Sequence, residues 1–418
     1  MTHTSLKTTK IAMTYQRDWV RQLREDITGG QKFAFVNADT PHELFHAMGM
    51  PIVTNQWWSA VIAAKQLSEH YLDRATEMGF HAHLPRYSSL PLIAELDGDP
   101  ARQPWGGLPN PSILCARQSS DEHQKVFSLW SRATGAPLHL FSAPGVPNPE
   151  PRWWEIARDD WEQLYHPDRL DLMVAEMKTL ITTLEHMTGK NFDLDQFSQY
   201  MHAINRQEAI FEEIDQMIAQ APQAPLRISE QIPNVMVPQW HRGSGWALEH
   251  AASFRDEVAA RIAEGQSVCE KERIRMMWIG AGLWFDTDFY TAFEESHGAV
   301  FVWSMYLPFA ADGYIRTIGD DPLRALAARI SLMNEQLHQP PWVNEWLVEQ
   351  AQRYRIDCAL MLVPRHDRFS SYGSHFARRA LEAAGIKVIE IWSDMVDRRD
   401  WNRAEMQALV AAELDRIS

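Results

Sequence analysis

Residues 111–145 read PSILCARQSSDEHQKVFSLWSRATGAPLHLFSAPG. PSILCA is an apolar run of the length of one buried strand. Ser119, Ser120 or Asp121 then caps a helix, His123 falls in its first turn, and Gly135 stops it. APLHLFSAPG is the next strand. A strand, a helix and a strand in this compass form a βαβ unit, and such units build parallel sheets with right-handed crossovers.

The same rhythm runs upstream. Residues 13–29 read as a polar helix ending at Gly29-Gly30, and residues 33–36 as a short buried strand. Thr40 (N-cap), Pro41 (N1) and Glu43 (N3) open a helix that Gly49 stops. A strand follows at 51–54, then a helix from Trp58 to Gly79. Downstream, the proline-rich stretch GVPNPEP at 145–151 leads into a polar helical segment reaching about residue 270. The alternation returns at 274 with IRMMWIG, AVFVWSMY, DCALMLVP at 357–364 and KVIEIWSDMVD. The predicted fold is α/β: two doubly wound parallel-sheet, flavodoxin-like lobes with a helical segment between them. The boundaries are an N-terminal helix over 1–30, a first lobe over 31–150, the helical segment over 151–272 and a second lobe over 273–418.

A chain of 418 residues exceeds one ordinary core, which fits this division. The formal net charge of -15 argues against a nucleic-acid partner, which wants a basic face. No run of about 18 apolar residues offers a membrane span, and the N-terminus has no apolar secretion signal, so a cytoplasmic protein is expected. Cys115, Cys269 and Cys358 are three scattered cysteines without CxxC or zinc spacing, and two sit inside apolar runs as small buried hydrophobes. The 17 tryptophans serve core and interface packing, or line a dry pocket for an apolar or aromatic acyl group.

Ligands of doubly wound sheets bind beyond the carboxyl ends of the strands. That rule selects five loops: Asn37 to Thr40, Asn55 to Trp58, Gln118 to His123, Gly280 to Asp286 and Arg365 to Ser371. IGAGLWF lacks the third glycine of a dinucleotide fingerprint, and no Walker loop, GxSxG elbow or HExxH motif is present. In PRHDRFSSYG, Arg365, His366, Asp367 and Arg368 follow a buried strand, and Ser370 or Ser371 caps the next helix; a solvated loop with a local His-Asp bond is the plainer reading. His81 and His83 in HAHLPRY would share one face of a strand and, with His123 or His366, suit a metal, although surface histidines are commoner.

In order, these segments resemble one family. TPHELFHAMGMPIV is similar to its entry motif, P-x-E-(L/I)-x-x-A-x-G followed by an apolar strand. GLPNPSIL, SSDEHQKVFSLW and GAPLHLFSAPG resemble its second strand-helix-strand unit, and LITTLEHMTGKNFDLDQFSQYMHAIN its helical segment. HGAVFVWSMY and DCALMLVPRHDRF through AGIKVIEIWSDMVDRRDW resemble its C-terminal lobe. The family is that of the cluster-carrying 2-hydroxyacyl-CoA dehydratase D-components and benzoyl-CoA reductase B and C subunits. The resemblance implies one-electron chemistry on an acyl-CoA thioester at a 4Fe–4S cluster held by three cysteines. The positions matching those cysteines are Pro85, Ser120 and His366 or a neighbour, so this member lacks the ligands and is expected to bind no cluster.

The leading expectation is a cluster-free subunit acting on a CoA thioester and paired with a paralogue whose cysteines hold the 4Fe–4S cluster. The alternative is a stand-alone, non-redox acid/base enzyme on an acyl-CoA or similar anion, with no cofactor of its own. The candidate acid-base residues are His366, Asp367 and His123. The candidate substrate contacts are Trp57, Trp58, Tyr87, Ser119, Ser120, Trp284, Arg365, Arg368 and Ser370. Backbone N–H groups at Ser119-Ser120 would polarise a carbonyl, and the two arginines would hold an anion.

Overall fold

A computed structural model of the chain describes residues 5–417 except 82–83, 144–147, 310–315, 339–341 and 372. The chain opens with helix α1 (Lys7–Thr28), longer than its polar sequence suggested because residues from Leu6 onward are tied down elsewhere. Leu6 N–H donates to Glu230 Oε1 at 2.9 Å, and Thr8 N–H donates to Glu257 Oε2 at 3.0 Å. The first α/β unit then runs β1 (Ala34–Val36), α2 (His42–Ala47), β2 (Ile52–Thr54), α3 (Asn55–Ala64), α4 (Ser68–Glu77), α5 (Arg86–Asp97), β3 (Ile113–Arg117), α6 (Asp121–Thr134) and β4 (Leu138–Phe141).

Helices α7 (Trp153–Ile156), α8 (Pro167–Thr188), α9 (Leu194–Gln220), α10 (Ile228–Trp240) and α11 (Gly245–Ala263) make the intervening segment. The second α/β unit comprises β5 (Ile274–Ile279), α12 (Glu294–His297), β6 (Ala299–Ser304), α13 (Pro322–His338), α14 (Trp342–Arg353), β7 (Cys358–Pro364), α15 (Arg368–Ser371), α16 (Ser374–Ala383), β8 (Lys387–Ser393) and α17 (Arg403–Leu414).

Among the described residues the strands form two four-stranded sheets, ordered β2-β1-β3-β4 and β6-β5-β7-β8, with every pairing parallel. The expected pair of flavodoxin-like lobes is therefore present. Parallel sheets covered on both faces need continuous apolar strands. β5, β6 and β7 accordingly bury every residue. In each sheet the chain works outward from one inner strand and then returns to its other side. The reversal leaves a crevice between β1 and β3, and another between β5 and β7, where side chains from the strand ends converge.

Local departures from the predicted elements have physical causes. The helix expected over 58–79 is broken: α3 ends at Ala64, Gln66 takes a left-handed φ of 61°, and α4 starts afresh. The bent turn aims the Gln66 amide at the second lobe, where Nε2 donates to Phe285 O at 2.9 Å and Oε1 accepts from Arg398 Nη1 at 2.8 Å. Thr40 does not cap α2. Its hydroxyl donates to Asn37 O at 2.7 Å, and the Glu43 side chain turns inward to Arg242 instead of back to the helix start. Neither Ser370 nor Ser371 caps a following helix. Both lie within α15, and Asp367 Oδ1 accepts from Ser370 N–H at 3.0 Å. Tyr87 and its neighbours open α5 from Pro85, and His83 lies outside the described residues.

Candidate functional site

The carboxyl ends of the two sheets open onto one chamber of about 300 Å³. Every one of the five loops selected from the sequence contributes to it. The loop after β1 supplies Asn37 and Asp39, and the start of α3 supplies Gln56 and Trp57. The first turn of α6 supplies His123. From the second lobe come Gly280 and Trp284 after β5, and Asp367 and Ser370 after β7. Gly280 sits at φ 94°, where the backbone leaves β5 sharply, and a Cβ there would stand 2.7 Å from Leu362 O. Only glycine permits that turn without strain.

The polar wall is organised by amide groups of the first lobe. Asn37 Nδ2 donates to Asp39 Oδ1 at 2.5 Å, Gln56 Nε2 donates to Asn37 Oδ1 at 2.7 Å, and Ala38 N–H donates to Gln56 Oε1 at 2.9 Å. Tyr87 OH donates to Gln56 O at 3.1 Å, and burial holds its phenol well above the ordinary range. Ser119 Oγ lies 3.2 Å from His123 Nδ1, so the hydroxyl orients the imidazole. Of the three candidate caps Ser119, Ser120 and Asp121, it is Ser120 that caps α6, accepting His123 N–H at 3.2 Å. Beside His123, the carboxyl of Glu122 is pushed up to about 7 by burial and then by the charge of Asp367.

Among the expected substrate contacts, Trp57, Tyr87, Trp284 and Ser370 line the chamber, as do His123 and Asp367. Trp58 is fully buried behind Trp57, ring against ring at 5.8 Å. Arg365 is exposed outside the lining. Arg368 is 77% exposed and reaches across to the first lobe, with Nη2 3.4 Å from Asp121 Oδ1 and Nε 3.6 Å from Glu122 Oε1. His366 is not part of the lining, and its Nε2 lies 3.6 Å from Asp400 Oδ2. Arg86, next to Pro85, meets the same acid: its Nη1 lies 3.6 Å from Asp400 and 2.6 Å from Asp397.

Sequence reading missed the roof. Met236 and Trp240 on α10 and Gln16 on α1 join the lining, as do Met333 of α13, Leu347 of α14 and Ala377 of α16, and Trp57 Nε1 donates to Gln16 Oε1 at 3.1 Å. The signal in the sequence was the run VMV at 235–237 with Trp240, and α10 does bury Asn234 through Trp240 without interruption. A helix covered all round lies between two bodies.

The three cysteines are dispersed. Cys115 is on β3 in one sheet and Cys358 on β7 in the other, while Cys269 Sγ donates to Glu294 O at 3.3 Å. Burial raises all three thiols, Cys358 to about 12. Among the described residues, no three His, Cys, Asp or Glu side chains are grouped to hold a metal ion. None of the described helices is long and apolar enough to cross a membrane.

A sequence model of the family described as "2-hydroxyglutaryl-CoA dehydratase, D-component" matches residues 37–412. The chain belongs to that family. Two curated relatives are distant. The (R)-phenyllactyl-CoA dehydratase alpha subunit of Clostridium sporogenes is 21% identical over 61% of this chain and 59% of its own length. The (R)-2-hydroxyglutaryl-CoA dehydratase subunit alpha of Acidaminococcus fermentans is 21% identical over 93% of this chain and 92% of its own. The chain thus spans under two thirds of the first relative and nearly all of the second. The match to the family begins at Asn37, on the chamber wall, and leaves α1 outside.

Proposed function

We propose that this chain is a cluster-free subunit of a cytoplasmic enzyme of the 2-hydroxyacyl-CoA dehydratase type. It binds the acyl part of a CoA thioester in the inter-lobe chamber and pairs with a paralogue whose cysteines hold the 4Fe–4S cluster. Both relatives are named as alpha subunits of dehydratases, which supports a place in a multi-subunit enzyme. The observation that carries the reading is the state of the three positions that match the family's ligands. Pro85 has no donor atom and begins α5. Ser120 spends its hydroxyl on the cap of α6. His366 and Arg86 engage Asp400. Iron–sulfur clusters take thiolates, and this donor set does not fit one.

Anaerobic purification from the native cell, with iron analysis, tests the proposal. The expected result is a complex whose iron follows a cysteine-bearing partner and leaves this chain iron-free once the two are separated. Stoichiometric iron on the separated chain overturns it.

A second reading, acid–base chemistry by this chain alone, is favoured by one observation. His123 and Asp367 come from opposite lobes and line the same chamber. Under it, turnover by the purified single chain falls by at least about a hundredfold in His123→Asn. Under the first reading the single chain turns nothing over.

A further inference from the structure

Apolar side chains dominate the chamber lining, Trp57, Met236, Trp240, Trp284, Met305 and Met361 among them. Its titratable side chains include the acids Asp39 and Asp367 and the imidazole of His123, and no lysine or arginine lines it among the described residues. None of the undescribed positions is a lysine or arginine either. Arg368, which opens α15, lies outside the lining and is engaged by Asp121 and Glu122.

A carboxylate brought into such a space loses its hydration, meets no lysine or arginine in the lining, and is set beside two acidic side chains. Each of these opposes binding. An uncharged apolar chain gains from the same walls, because the aromatic rings and flexible methionine thioethers adapt to its shape. We infer that this chamber selects a thioester whose acyl chain is neutral and apolar, aromatic or branched aliphatic, and rejects one that ends in a second carboxylate. The inference rests on the reading of the chain as a thioester-binding subunit and names its substrate class. Selectivity here is carried as much by exclusion as by attraction.

Two pairs of probes separate the inference from the function beneath it. The first pair is 3-phenylpropanoyl and glutaryl N-acetylcysteamine thioesters, which carry the acyl group without the nucleotide. The second pair is the corresponding CoA thioesters, with free CoA as control. Binding to the full chain is followed by quenching of the tryptophan fluorescence to which Trp57, Trp240 and Trp284 contribute, and checked by calorimetry. The 3-phenylpropanoyl member of each pair is expected to bind at least about tenfold more tightly than the glutaryl member, the cost of one unpaired buried charge. Val61→Arg, or Ala60→Lys should the first variant not fold, places a cation in the wall and is expected to narrow or reverse that ratio. Equal affinities, or tighter glutaryl binding, overturn the inference. So does binding of the CoA thioesters with no response to either short thioester, since the acyl group would then sit elsewhere while the function stood. Binding of the short apolar thioester without any affinity for its CoA counterpart leaves the chamber's preference standing and overturns the CoA-thioester function. Silence from all the probes removes both.

Discussion

Arg242 Nε lies 2.7 Å from Glu43 Oε1, and neither side chain reaches solvent. The pair joins α2 of the first lobe to the turn that closes α10. Arg329 of α13 adds a second guanidinium, 3.5 Å from Glu43 Oε1, and itself pairs with Glu208 at 2.9 Å. One web of charges thus fastens the first lobe, the helical segment and the second lobe. Its two carboxyls behave oppositely. Burial alone would raise Glu43, yet two arginine charges pull it down to about 2. At Glu208 burial wins over its arginines, and the carboxyl rises to about 7.

Glu43→Gln is expected to destabilise the protein by about 3–5 kcal/mol, because it leaves Arg242 buried without its counter-charge. Urea unfolding at neutral pH measures the loss. The double variant Glu43→Gln with Arg242→Met should recover part of it. A loss under about 1 kcal/mol in the single variant would show that the guanidinium finds another partner.

Glu95 sets a pH dependence of the opposite sign to that of Glu43. Burial pushes its carboxyl up to about 7, against the pull of the Trp130 indole N–H that donates to it. The folded form therefore holds a proton that the unfolded chain releases near pH 4.5. Its stabilising effect is complete below that value and is lost as pH rises toward 7. Glu95→Gln keeps an acceptor for Trp130 and removes the titration. Its stability should match the parent near pH 4 and exceed it at pH 8 by up to about 3 kcal/mol. Paired unfolding curves at the two values check this. A variant equally destabilised at both would refute it.

Gly280→Ala is expected to cost at least about 1–2 kcal/mol through its left-handed backbone. The new methyl also meets Leu362 O at 2.7 Å, so β5 must shift against β7 at the chamber wall. Weaker ligand binding should accompany the lower unfolding temperature. A variant with parental values of both would show that the turn can relax without moving the strand.

The strands and the five chamber loops were legible because their signals are local. Apolar runs such as IRMMWI and CALMLVP stay buried in any parallel sheet, and the residues just past them must face the open edge. The start of α6 was legible for the same reason, within the three residues Ser119, Ser120 and Asp121. What escaped depends on partners far along the chain. Thr40 and Glu43 have the spelling of a helix start, but Arg242, 199 residues away, claims the carboxylate. The break at Gln66 carries neither glycine nor proline, and it exists because Phe285 and Arg398 reward the bent geometry. Arg368 looked like an anion holder in PRHDRF, yet the fold sets two acids from the other lobe beside it. No window of sequence contains those pairings.

Gln16 closes the chamber from a helix that precedes the stretch shared with the family, and holds the Trp57 indole while doing so. Neither sheet depends on that helix for its strand pairing. A change on that leading helix would therefore reshape the chamber wall while the paired sheets stay as they are, so the cavity and the architecture answer to different parts of the chain.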